Sequence, residues 1–290
     1  MCRVLTVLLD GIAYGMLLFI LACGLSVTLG LMNFVNLAHG AFAMAGGYVT
    51  VVLVNGYGVP FLLCLPIAFL VAAAIGLLLE RTLYRRLYGA NHLDQVLFSI
   101  GLVFMAMAGV DYFMGARQQL ITLPDFLRGQ FHLAEGASIG VYRLFIIVIC
   151  AVLAVVLQLI LSRTRFGSRL RAAVDDGEVA RGLGINVGTV FAMTFAVGSG
   201  LAGLGGALGI EVLGLDPSFP IRFMIYFLIV VVVGGTSSIA GPFLASLILG
   251  IGDVAGKYYI PGFGSFMIYT MMVVILVLRP HGLFATRGTS

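Results

Sequence analysis

Polar residues are scarce in this chain, so the places where they gather say most about its chemistry. One cluster is Asn33-Phe34-Val35-Asn36-Leu37-Ala38-His39-Gly40, an island between two apolar runs. Amides and an imidazole at this spacing can contact a polar solute, or they can cap and bridge a broken helix. Polar groups inside a membrane are costly enough to need one of these reasons. No acidic residue is near His39 in sequence, which speaks against a proton relay. A second cluster, Arg163 to Asn186, holds five of the sixteen Lys+Arg and three of the twelve Asp+Glu. A third site of interest is Gly234-Gly235-Thr236-Ser237-Ser238 with Gly241-Pro242, which interrupts a long apolar run.

Several kinds of chemistry lack their residues. There is no GxxxxGK[ST] phosphate loop, no HExxH and no CxxC. Gly198-Ser199-Gly200 lacks the flanks of a nucleophile elbow. Of four histidines, His92, His132 and His281 fall at or near expected loops, which gives no metal cluster. Cys23, Cys64 and Cys150 lie in apolar runs, where a thiol packs as a small hydrophobe, and Cys2 is terminal. No enzyme, cofactor or metal is expected. Asp10, Asp111 and Asp253 are expected near span ends, explained by snorkelling or capping. The lack of a mid-span carboxylate speaks against an ion-coupled secondary transporter of small amino-acid-like solutes, which stays as the alternative.

The elements that must carry these clusters follow from composition. The chain is 61% hydrophobic and 10% charged, with a mean hydropathy of +1.14. An ordinary soluble domain carries about 25% charged residues, so lipid must cover much of this surface. The apolar runs are continuous and lack barrel alternation, which leaves helices. The expected fold is an all-α, polytopic integral membrane helical bundle of about eight transmembrane segments with broken or re-entrant helices. The spans are expected at 7–31, 34–55, 59–79, 93–114, 141–162, 189–210, 224–252 and 263–279. The first is expected to be uncleaved. The seventh reads as two half-helices meeting inside the membrane, and the second is interrupted in its first half. Such breaks point to a transport path. Gly11 and Gly15, Ala41 and Ala45, Gly205 and Gly209, and Ser246 and Gly250 have the spacing of close helix contacts. The run 198–209 is dense enough to include a dimer face.

Loop arginines set the orientation. Arg81, Arg85 and Arg86, and the five of the 163–186 segment, mark the cytoplasmic side. Loops 115–140 and 211–222 and the N-terminus fall outside. The net charge of +4 reflects this orientation rather than nucleic-acid binding. Within the charged segment, Leu170, Val174, Ala180, Leu183 and, less tightly, Val179 can share one face of an amphipathic helix. Gly182 and Gly184 suit its end. The segment is either an interfacial helix held by anionic lipid or a docking helix for a cytosolic partner.

Gly30-Leu31-Met32-Asn33-Phe34-Val35-Asn36-Leu37-Ala38-His39-Gly40 followed by Ala45-Gly46-Gly47-Tyr48 resembles the signature after the first span of LivH-type permeases of branched-chain amino acid ABC importers. Val35-Asn36-Leu37 stands where a shorter Asn-Phe-Ala-His-Gly form is common. Arg171-Ala172-Ala173 with Asp176, Ala180 and Leu183-Gly184-Ile185-Asn186 is similar to that family's cytoplasmic coupling segment. The glycine-rich run to Pro242 and Arg279-Pro280-His281-Gly282-Leu283-Phe284 resemble its later motifs. The resemblance covers nearly the whole chain and implies a single permease domain, 1–290, with a coupling segment at 163–188. It implies a multi-pass protein of the bacterial inner membrane. Its partners would be two cytosolic ABC ATPases that bind the ATP, a LivM-like second permease and a periplasmic substrate-binding protein. The solute would be a branched-chain amino acid, or urea, a short amide or an aromatic acid. Asn33, Asn36, His39, Gly40, Gly234 and Gly235 become translocation-pathway candidates. Arg171, Ala172, Ala173, Asp176, Ala180, Gly184 and Ile185 become ATPase-coupling candidates.

Overall fold

The computed structural model describes residues 2–32, 34, 36–134, 137–235, 240–280 and 282–283. The apolar runs form helices α1 (Cys2–Met32), α2 (His39–Val51, continued by a π turn Val52–Gly56), α3 (Phe61–Thr82) and α4 (His92–Met114). After a short hairpin, β1 (Gln130–Ala134) and β2 (Ala137–Gly140), come α5 (Val141–Arg163), α6 (Arg165–Asp175), α7 (Gly177–Gly182) and α8 (Val187–Leu213). The chain continues through α9 (Phe219–Gly234), α10 (Ala240–Tyr259), α11 (Pro261–Gly264) and α12 (Met267–Leu278). Among these, α1, α3, α4, α5 and α8 are long and apolar enough to cross a membrane unaided. A polytopic helical membrane protein is thus the observed fold.

Helices α1 and α8 form the axis. Their most apolar stretches are 61% and 67% buried, against 11% and 17% for α4 and α5, which the chain itself leaves largely uncovered. Glycine makes the axis possible. Gly24 meets Gly198 so closely that a Cβ on Gly198 would fall 3.3 Å from the Gly24 Cα. On α2, Gly46 lies on the backbone of Gly203 and Ala43 on that of Gly206. Gly11 and Gly15 face Ile251, Ser246, Leu247 and Gly250, so two of the four small-residue pairs meet each other across α1 and α10. With no hydrophobic drive between helices in lipid, such close backbone approach supplies the dispersion contact that holds them.

The structure corrects several expectations. The run from Gly198 to Gly209 is buried within the chain against α1, α2 and α3, so it has no face left for a dimer. The loop expected at 211–222 is shorter, because Pro220 fits the first turn of a helix and starts α9 at Phe219. The loop 115–140 holds the β hairpin, a small exception to the all-α reading. Asp253, expected to snorkel or cap, is buried in α10 at 1% exposed and pairs with Lys257 at 2.5 Å. Asp10 pairs with Arg143 of α5. Thr236, Ser237, Ser238, His281 and Phe284 lie outside the described residues.

Candidate functional site

Two regions carry the chemistry foreseen in the sequence. The first lies where α1 ends and α2 begins. Asn36 Oδ1 accepts from the Ala38 amide at 3.1 Å and from the Tyr84 hydroxyl at 3.0 Å. The Leu37 amide donates to Ser99 Oγ of α4 at 3.2 Å. His39 Nε2 lies 2.8 Å from the carbonyl of Leu21, an atom that can only accept, so Nε2 carries the proton. Asn36, His39, Tyr84 and Ser99 are each at most 2% exposed. They tie α1, α2, α4 and the turn after α3 together, which is the bridging role of the two foreseen for the island. Tyr84 and Ser99 were not foreseen, since Tyr84 sits in a loop read only for its arginines and Ser99 is one polar residue in an apolar stretch. Asn33 lies outside the described residues.

The second break lies at the end of α9. Gly235, at φ +83°, ends α9, and its amide bonds the Val231 carbonyl at 2.9 Å. That left-handed geometry suits glycine. Gly234 fits against Pro242, whose Cα would lie 2.5 Å from an added Cβ. Gly40 sits on Pro220 of α9, and His39 lies edge-on to Phe227 at 6.3 Å. Phe243 meets Phe19 of α1 edge-to-face at 5.2 Å. His39 touches α1 at Leu21 and Phe243 touches it at Phe19, so the first turns of α2 and α10 pack on the same stretch of α1.

The second region is the charged segment. One amphipathic helix was expected, and two short helices are found. Asp176 breaks the run because its Oδ1 caps the amides of Glu178 and Val179, both at 2.9 Å. Helix α7 closes in a Schellman motif. Gly184 at φ +82° donates to Arg181 and Ile185 donates to Ala180, both at 3.0 Å. Asn186 then caps α8 at the Thr189 amide, 3.0 Å away. The break changes the helix phase. Leu170, Ala173 and Ala180 pack against Val187 and Val190 of α8. Val179 and Leu183, expected on that face, are instead 58% and 76% exposed. The Asp176-Gly177-Glu178 sequence was the overlooked signal of a new N-cap.

The coupling candidates therefore divide. Ala173 and Ala180 face inward, and Arg171 folds back to the Leu161 carbonyl of α5. Ala172 and Ile185 are half-buried, and Gly184 shapes an exposed turn. Beside them, Arg85, Tyr88, Arg181 and residues 184–188 line a cavity of about 690 Å3, which sets the arginines of two loops at one end of the bundle. The Tyr88 hydroxyl donates to Glu80 at 2.8 Å. Burial first, and the Glu80 carboxylate second, push that hydroxyl well above its ordinary range, so it remains a donor. Among the described residues no group of His, Cys, Asp and Glu could hold a metal.

The sequence profile of the family described as "Branched-chain amino acid transport system / permease component" matches residues 7–276. The chain belongs to this family. It is a transport permease component, not an enzyme. The chain is 27% identical to the high-affinity branched-chain amino acid transport system permease protein BraD of Pseudomonas aeruginosa, over 95% of this chain and 94% of that one. Against LivH of Escherichia coli K12 the identity is 26%, over 94% and 93%. Against LivM of the same organism it is 28%, over 92% of this chain and 68% of that protein. No solved structure matches. The permease chain thus resembles two kinds of branched-chain permease, and its breaks and charged segment coincide with the motifs that first carried the resemblance.

Proposed function

We propose that this chain is one of two permease subunits of an ABC importer in the bacterial inner membrane. It passes branched-chain amino acids, or related small solutes, to the cytoplasm. A LivM-like permease completes the path, two cytosolic ATPases bind and hydrolyse the ATP, and a periplasmic binding protein delivers the solute. The observation that carries this reading is the α6–α7 segment, fixed by an apolar face to the base of α8 while Val179 and Leu183 point away from the chain. Two exposed aliphatic side chains ringed by Glu178, Arg181 and Gly184 are a surface with no use inside the protomer.

The packing supports a way of transmitting work. A push on α6–α7 is borne by Leu170, Ala173 and Ala180 and passes to the start of α8. Helix α8 touches α1 at Gly24 and α2 at Gly46 with no compressible side chain between. Its displacement is therefore passed directly to both α1 and α2. Close-packed interfaces shift between discrete arrangements rather than deform.

The test is uptake of labelled leucine into proteoliposomes that hold the chain with its co-encoded partners. Uptake is expected to require ATP and the binding protein. Uptake driven by a proton or sodium gradient without ATP would overturn the reading in favour of a secondary carrier.

A further inference from the structure

We propose that the cavity beside α6 takes one acyl chain of an anionic phospholipid, whose phosphate is held by Arg165 and Arg169. The cavity lies between α1, α5, α6 and α8 and measures about 230 Å3. An apolar protein cavity of roughly 150 Å3 already takes up benzene, so this one has room for a stretch of alkyl chain. Leu157, Leu170 and Leu201 are buried in its walls. Ile160, Met193 and Val197 line it too and are 38%, 53% and 38% exposed, so it opens to the outside of the chain. Among its described lining residues Thr194 is the one polar side chain, and its hydroxyl donates to the Val190 carbonyl at 2.8 Å. These walls hold no free polar group for a sugar, an amide or an ion, and they suit hydrocarbon.

The head group follows from charge. From Leu157 to Val174 the chain has four arginines and no acidic residue. Arg171 is turned back to the Leu161 carbonyl. Arg163, Arg165 and Arg169 are exposed, and no ion pair engages them among the described residues. They border the cavity. Arg163 lies three residues beyond Ile160 on α5, and Arg169 lies three beyond Phe166, another lining residue, on α6. Residues at that spacing are neighbours on a helix surface. Arg165 and Arg169 are four apart, so their guanidinium groups can share one phosphate. Helix α6 thus offers Phe166 and Leu170 to the cavity and a cationic pair beside them. Basic clusters at the end of a membrane span attract anionic lipid. A bare apolar face would meet any lipid, whereas here the arginines choose the head group and the cavity seats the chain. An acyl chain held there braces α6 against α5 and α8.

The test reads occupancy, independently of transport. The assembled transporter is placed in nanodiscs with equal amounts of phosphatidylglycerol and phosphatidylcholine. The photo-crosslinker p-benzoylphenylalanine, in place of Met193 at the rim, captures what lies there, and mass spectrometry identifies the adduct. Phosphatidylglycerol adducts are expected to exceed phosphatidylcholine adducts at least about fivefold. The same probe in place of Val152, exposed on α5 well before the arginines, is expected to show no preference. Arg165→Gln combined with Arg169→Gln is expected to abolish the preference at Met193. Val197→Phe, which fills the mouth of the cavity, is expected to lower it. Equal adducts at Met193, the same preference at Val152, or a preference untouched by either variant overturns the site. An adduct with a partner subunit also overturns it, because the cavity would then belong to a subunit interface. ATP-driven leucine uptake, measured without the probe, judges the permease reading separately.

Discussion

At the scale of single residues, the polar island works as a joint. Asn36 Oδ1 serves two donors, the Ala38 amide and the Tyr84 hydroxyl. Asn36→Ala leaves both without a partner in a buried site, and each orphaned group costs about 1–3 kcal/mol. Tyr84→Phe removes one donor and leaves Asn36 bonded to Ala38, so a net loss of about 1 kcal/mol is expected. Thermal unfolding in detergent should therefore rank the variants wild type, Tyr84→Phe, then Asn36→Ala. An equal drop for both variants would mean that the Ala38 bond carries nothing. The island itself was legible in the sequence, because polar residues between apolar runs need a reason. Its partners were not. Tyr84 and Ser99 lie 48 and 62 residues away from the groups they bond, and nothing local announces a long-range hydrogen bond.

At the scale of elements, glycine spacing decides which helices can touch. A Cβ on Gly15 would fall 2.6 Å from the Ser246 carbonyl oxygen, a backbone atom that cannot swing aside. Gly101, near the middle of α4, would meet nothing within 4 Å. Gly15→Ala is expected to cost about 1–3 kcal/mol through overpacking. Gly101→Ala is expected to be neutral, or to add up to about 1 kcal/mol, through helix propensity. Unfolding midpoints check the pair, and a Gly15→Ala protein as stable as wild type would contradict the packing described for α1 and α10. The long helices and the break after Gly234 were legible from apolar runs and glycine content. The phase of α6 and α7 was not, because the apolar residues from Leu170 to Leu183 fit one continuous helix. The deciding interaction, the Asp176 side chain on the amides of α7, reverses the exposure of Val179 and Leu183. The Gly198–Gly209 run was ambiguous for a related reason. Small residues signal close approach, but not whether the neighbour belongs to the same chain.

At the scale of the whole molecule, α8 joins the α6–α7 segment at one end of the bundle to the close contacts with α1 and α2. Arg85 and Arg181 share one end, and the Gln119 amide bonds Leu215 at 2.7 Å across the other. Helix α8 runs between these ends. In the proposed importer, force enters through the exposed face of α7. The most direct measurement is ATP-driven leucine uptake, with recovery of the ATPases on the purified permease, for the double variant Val179→Asp, Leu183→Asp. Both side chains point away from the protomer, so insertion and thermal stability should match wild type. At least about a tenfold loss of ATPase recovery and of uptake is expected, since two buried aliphatic contacts are worth more than 1.4 kcal/mol. Full recovery and wild-type uptake by that variant would contradict it.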